Sequence, residues 1–158
     1  MAVLGATFGI LQRFGLAAVT IGKVAEISGV HETTIYRRWR TPAALAFDAS
    51  MQFAASSVGH PDTGTLRGDL TAFVRGVAAA MESPAGRALL EVCRLPDTDV
   101  VEARRQFFRK RFGEASKIFE RAVDRGEITQ PRDPHALIEL LIAPLYFRAL
   151  VTGEPLKA

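Results

Sequence analysis

Between Thr20 and Arg40 the chain gathers Lys23, Arg37, Arg38 and Arg40 with the hydroxyl side chains of Thr20, Thr33, Thr34 and Tyr36. Cations interleaved with short hydroxyl groups are suited to bonding phosphate oxygens and the edges of bases. The other reactive residues are scattered. His31, His60 and His135 lie far apart, with no two at helical ligand spacing, so no metal site is expected. The carboxylates Asp97 and Asp99 fall at a turn or a helix start. The chain has no Gly-x-Ser-x-Gly elbow, no glycine-rich phosphate loop and no His-Glu-x-x-His helix, so neither enzymatic activity nor a cofactor is expected. Arg104, Arg105, Arg109, Lys110 and Arg111 form a denser basic cluster, interleaved with Phe107, Phe108 and Phe112. There Phe108, Phe112, Ala115 and Phe119 fall on one helical stripe, which reads as core with a solvated basic back.

The Thr20–Arg40 side chains can act together only if helices hold them. Apolar residues recur with a 3.6-residue period from end to end while strand-like alternation is nearly absent, so the chain reads as all-α. Gly15, Ser28-Gly29, Thr41-Pro42, Gly59 to Thr65, Ser83-Pro84, Pro96 and Gly126 to Pro134 punctuate it. The punctuation predicts helices over Val3–Phe14, Ile21–Ser28, Glu32–Trp39, 42–58, 66–82, 85–94, 97–125 and 134–152.

The second and third helices are short and amphipathic. Ile21, Val24, Ala25 and Ile27 supply an inward face, Thr20 caps its start, and Gly29 supplies a left-handed residue at its end. Val30 plugs the corner. Ile35 and Trp39, four apart, are the buried face of the next helix, so Trp39 reads as core rather than as a base-stacking residue. This leaves Thr33, Thr34, Tyr36, Arg37 and Arg38 for other work, on a helix sized for the major groove: a helix-turn-helix.

The matching residues, Phe14-Gly15, Thr20-Ile21, Val24-Ala25-Glu26, Gly29-Val30, Thr34-Ile35-Tyr36-Arg37, Trp39 and Ala44-Leu45, run without a gap from Val3 to Leu45. In this pattern the chain resembles the TetR/AcrR family of transcriptional repressors. The stretch Ala143 to Pro155 also looks like the end of one regulatory-domain subgroup of that family. The resemblance implies that Thr33 and Thr34 face base edges, that Tyr36 and Arg38 hold phosphates, and that Arg37 reaches either phosphate or guanine. It also sets Thr20 and Lys23 where the preceding helix crosses the DNA backbone.

Three residues or segments depart from the family pattern. Glu32 stands where a basic or neutral residue is frequent, and phosphate repels a carboxylate there unless it accepts from cytosine N4. Pro42 replaces a frequent lysine, although Arg40 stands two residues away and proline suits a first helical position. Members usually carry a basic arm before the first helix, and here the chain begins almost at that helix.

At 158 residues the chain is one domain, or one with a small appendage. Hydrophobic residues are 48% and charged residues 23%, enough to bury a core. The net charge is +3, and residues 1–50, with five Lys or Arg against three acids, carry +2 of it. A lone cysteine, Cys93, fits a reducing cytoplasm. No uninterrupted apolar run reaches the roughly eighteen residues of a membrane span. The apolar Met1–Gln12 has no basic residue before Arg13 and reads as a first helix rather than a signal peptide.

The division expected is a DNA-binding unit over 1–41 and a helical-bundle domain for ligand binding and dimerisation over 42–158. Phe53, Phe73, Val77, Met81, Leu90, Cys93, Phe108 and Phe112 are candidates to line a site for a small apolar effector. The last helix, apolar nearly all round and bent by Pro144, must bury a second face. Leu137, Leu140, Leu141, Leu145 and Arg148 are its candidates for a homodimer contact. The function expected is a regulator that binds a palindromic double-stranded DNA operator as a homodimer and is released by its effector. The alternative is a helical interaction module with weak or degenerate DNA binding.

Overall fold

A computed structural model describes residues 2–55 and 58–156. Among them are eight α-helices and no strand. They are α1 (Ala2–Phe14), α2 (Ile21–Ser28), α3 (Glu32–Arg38), α4 (Pro42–Ala55), α5 (Leu66–Glu82), α6 (Pro84–Cys93), α7 (Thr98–Asp124) and α8 (Pro134–Phe147). A 3-10 turn, Leu16–Ala18, follows α1, and a π-helical turn, Arg148–Thr152, continues α8. Each expected helix is present, with ends moved by three residues or fewer except in α8, whose last turn changes its hydrogen-bond pattern four residues after Pro144. The expected residues 56 and 57 of the fourth helix lie outside the described residues.

Local chemistry sets the helix starts. Ser83 and Asp133 each cap a helix whose first residue is proline, accepting from the amides of Gly86 at 3.0 Å and Ala136 at 2.9 Å. Proline has no amide to satisfy there and its φ is already helical.

Packing divides the chain into two compact units, Met1–Ser56 with Ser83–Arg105, and Ser57–Glu82 with Gln106–Ala158. In the first, α1 packs on α2, α4 and α6, and α4 packs on α6. Its core includes Phe8, Ile10, Leu11, Val24, Ile35, Leu45, Phe47 and Val92. In the second, the buried stripe of α5, Phe73, Val77 and Met81, repeats every four residues, as one face of a helix must. The stripes Ala115, Ile118, Phe119 and Ala122 of α7 and Ile138, Ile142 and Leu145 of α8 complete this core.

The second unit also holds a buried carboxylate that helical periodicity does not reveal. Asp69 is fully buried near the start of α5, and the Thr63 amide and hydroxyl donate to it at 2.6 and 2.8 Å. Arg125 donates to its other oxygen at 3.3 Å and to Glu127 at 2.5 Å, while Glu127 accepts from the Leu66 amide at 2.7 Å. Burial alone would raise the Asp69 carboxyl, but the Thr63 and Arg125 hydrogen bonds outweigh it and hold it below its ordinary value. Glu127 is lowered too, first by the Leu66 amide and then by Arg125. These contacts tie the loop before α5 to the end of α7.

Candidate nucleic-acid interface

The helix-turn-helix is built from its caps inward. Gly15, at φ 75° and ψ 178°, ends α1 in a conformation open to glycine and few other residues. The Thr20 hydroxyl accepts from the Lys23 amide at 3.2 Å, which starts α2 and leaves its own O–H free to donate outward. Gly29, at φ 70°, ends α2 in the left-handed region, its amide donating to Ala25 at 2.9 Å. Ile21 and Val24 are buried as expected. Ile27 is not: it lies in the last turn of α2 and is 56% exposed. Val30 is half-buried at the corner.

The start of α3 differs from the simplest reading of its threonines. His31 is the capping residue, its Nδ1 accepting from the Thr33 amide at 3.4 Å, and Nδ1 and the Thr33 hydroxyl are 2.9 Å apart. Thr33 is therefore engaged in the cap although exposed, and Thr34, one residue on, is exposed as well. Nothing in the spacing of histidines marks His31 for this role, since a ring nitrogen substitutes here for the usual short oxygen. On the same helix Ile35 is buried and Tyr36, Arg37 and Arg38 are exposed. Arg40 is exposed just beyond it.

Trp39 is the residue on which the end of α3 is fixed. It is buried as expected, and its Nε1 donates to Asp48 Oδ2 on α4 at 2.9 Å. The Arg38 guanidinium lies 4.6 Å from the Trp39 ring and 3.8 Å from Asp48. The Arg38 side chain is thereby steered while remaining 69% exposed.

Glu32 lies against α2. A β-carbon at Gly22 would come within 3.2 Å of the Glu32 carboxylate, so the bare backbone there makes room for it. The first turn of α2 has unpaired amides that favour an acid.

Residues 60–158 match the family described as Tetracyclin repressor-like, C-terminal domain. Over 97% of its length the chain is 31% identical to the HTH-type transcriptional regulator AqdR of Rhodococcus erythropolis, of which it covers 76%. The chain belongs to the TetR family of transcriptional regulators. It is also 30% identical to the uncharacterized HTH-type transcriptional regulator YdeS of Bacillus subtilis, over 97% of this chain and 79% of that one. The crystal structure of the TetR family regulator SCO0332 superposes with a TM-score of 0.81 at 34% identity, covering 97% of this chain and 86% of that one. GusR of Salmonella enterica shares the fold, with a TM-score of 0.67 at 19% identity, over 97% and 82%. TetR-family proteins are DNA-binding regulators and not enzymes.

The remaining candidates of this TetR-family chain fall in different places. Phe53 stacks on Phe8 of α1, ring centroids 4.1 Å apart, and belongs to the first unit with Leu90 and Cys93. Burial pushes the Cys93 thiol up to about 11, against the opposing charge of Arg104, whose guanidinium donates to the Cys93 carbonyl. Phe73, Val77, Met81, Phe108 and Phe112 belong to the second unit. A cavity of about 240 Å³ there is lined by Phe73, Ala72, Gly76 and residues 58–61. Phe108 and Phe112 join a separate aromatic cluster with Tyr146 and His135, at centroid distances of 5.2 to 6.0 Å.

On α8 the candidates sort onto two faces. Leu145 is 4% exposed and belongs to the inner stripe with Ile138 and Ile142. Leu137 and Leu140 are exposed, Leu141 and Arg148 are half-buried, and Arg148 Nη1 donates to the Pro155 carbonyl at 3.2 Å. By length and composition Pro134–Thr152 is apolar enough to cross a membrane, but one side of it is occupied by its own protein core.

Proposed function

We propose that this regulator is a cytoplasmic repressor that binds a palindromic operator as a homodimer and is released by a small apolar effector. Residues 1–41 carry the DNA contacts in this reading, and 42–158 carry the effector and the partner subunit. The observation that carries it is the split on and around α3: Ile35 and Trp39 are buried, while Thr34, Tyr36, Arg37, Arg38 and Arg40 are exposed. Thr34 then meets base edges, Tyr36, Arg38 and Arg40 take phosphates, Arg37 takes phosphate or guanine, and Thr20 and Lys23 hold the backbone beside α2. Thr33 supports the cap and approaches the bases from there.

Dimerisation is supported by the second face of α8. Leu137, Leu140, Pro144, Phe147 and Val151 are all exposed and repeat at intervals of three and four, the seam of a helix that packs against another helix. Twofold pairing through this seam sets two recognition helices about 34 to 36 Å apart and makes the operator a palindrome. The cavity beside Phe73 suits an effector no larger than a small ring compound, and such coupling lowers operator affinity by about 5- to 150-fold.

Selection of bound duplexes from a random-sequence pool tests the reading. It predicts enrichment of one inverted repeat with half-sites about one helical turn apart. Recovery of single, unrepeated sites contradicts the dimeric operator, and recovery of unselected DNA contradicts a specific repressor.

A further inference from the structure

Phe14 continues the buried phase of α1, three residues past Leu11 and seven past Thr7, yet it is 60% exposed. The helix stops at Phe14 and Gly15 turns the chain away, so the first-unit core does not receive the ring. Lys23 does: its Nζ lies 4.4 Å from the ring centroid. An ammonium over an aromatic face is attracted by the negative π-face of the ring.

Lys23 is consequently tethered at both ends. Its amide is fixed by the Thr20 hydroxyl, and its ammonium by Phe14. Among the described residues no carboxylate pairs with Lys23, in contrast to Arg38 and Asp48. The ring covers one side of the ammonium and uses none of its three N–H donors in a conventional hydrogen bond, so the donors remain for an anion. A free lysine loses much rotamer freedom when it grips a phosphate; one already held loses less, and binds more tightly for that reason.

We propose that Phe14 is a positioning residue that holds Lys23 ready for a DNA phosphate at the foot of α2. The proposal rests on the reading of Lys23 as a phosphate contact, and it adds to the interface a hydrophobic residue that touches no DNA.

The test uses the full chain and a labelled random-sequence duplex, followed by fluorescence anisotropy at increasing salt, because non-specific binding isolates phosphate contacts. Phe14→Leu is expected to weaken binding about two- to five-fold, the size of an exposed cation–π contact, and Phe14→Tyr to restore it. In a Lys23→Ala background, Phe14→Leu is expected to have no further effect. By NMR, the Lys23 ε-methylene protons are expected upfield in the wild type and in Phe14→Tyr, and at ordinary positions in Phe14→Leu. Unchanged affinity in Phe14→Leu overturns the proposal, as does an equal loss with and without Lys23, which marks Phe14 as merely structural. If Lys23→Ala binds like the wild type while Arg38→Ala does not, Lys23 is no phosphate contact and the proposal falls with that assignment alone. If no variant and no wild-type chain binds duplex, the DNA reading itself fails.

Discussion

The indole of Trp39 donates to the carboxylate of Asp48 across 2.9 Å, joining the end of the recognition helix to α4. Arg38 leans on both partners, so one hydrogen bond fixes a helix end and steers an exposed cation. Trp39→Phe keeps most of the buried area and removes the donor. Since the Asp48 side chain is 40% exposed, the expected loss is about 1.5 kcal/mol, the lower end of the range for a hydrogen bond to a charged group. Thermal unfolding measures the loss, and weaker operator binding with an unchanged oligomeric state is expected alongside it.

The exposed seam of α8 predicts what a charge does there. Leu140 is 69% exposed in the isolated chain, so Leu140→Glu leaves folding intact and buries a carboxylate only in the dimer. Sedimentation at micromolar concentration is expected to show a dimer for the wild type and a folded monomer for Leu140→Glu. Ile138→Glu, on the inner stripe, is expected to unfold the second unit instead.

Asp69 and Glu127 make stability depend on acid. Both carboxyls lie below their ordinary values of 3.8 and 4.5 in the fold, so the folded chain binds fewer protons than the unfolded one. Their contribution is complete above those values and is lost as pH falls through the lowered native ones. Asp69→Asn is expected to lower the melting temperature at neutral pH and to flatten its decline below about pH 5. A variant whose decline parallels that of the wild type contradicts the assignment.

Cys93 is expected to be inert in the native protein. A thiol at about 11, against an ordinary 9.0, has roughly one hundredth of the thiolate at pH 8. Its reaction with a disulfide reagent is expected to be slower by about that factor than in denaturant. Equal rates show that the thiol is not buried in solution.

The helices were legible because their signals are local. Thr20, Gly29, Ser83-Pro84 and Asp133-Pro134 fix helix ends through groups within four residues, and Trp39 is marked as core by its four-residue spacing from Ile35. Contacts made across longer stretches of chain were not legible. Phe53 stacks on Phe8, forty-five residues away, and Asp69 joins Arg125 across fifty-six residues. Leu145 shows the same limit on one helix. An all-round apolar α8 announces two buried faces, but only packing against α5 says that Leu145 is on the inner one while Leu140 is outside. The exposure of Ile27, the His31 cap and the Phe14–Lys23 contact carry no pattern that spacing could detect.

The exposed side chains of α3 are expected to separate phosphate contacts from base contacts. The direct measurement is a salt titration of binding, by fluorescence anisotropy, for wild type, Arg38→Ala and Thr34→Ala on the selected operator and on random duplex. Arg38→Ala is expected to weaken both duplexes alike and to reduce the magnitude of the salt slope by about one. Thr34→Ala is expected to keep the slope and to lose more affinity on operator than on random DNA. Two variants that both bind like the wild type on both duplexes contradict this division of contacts on α3.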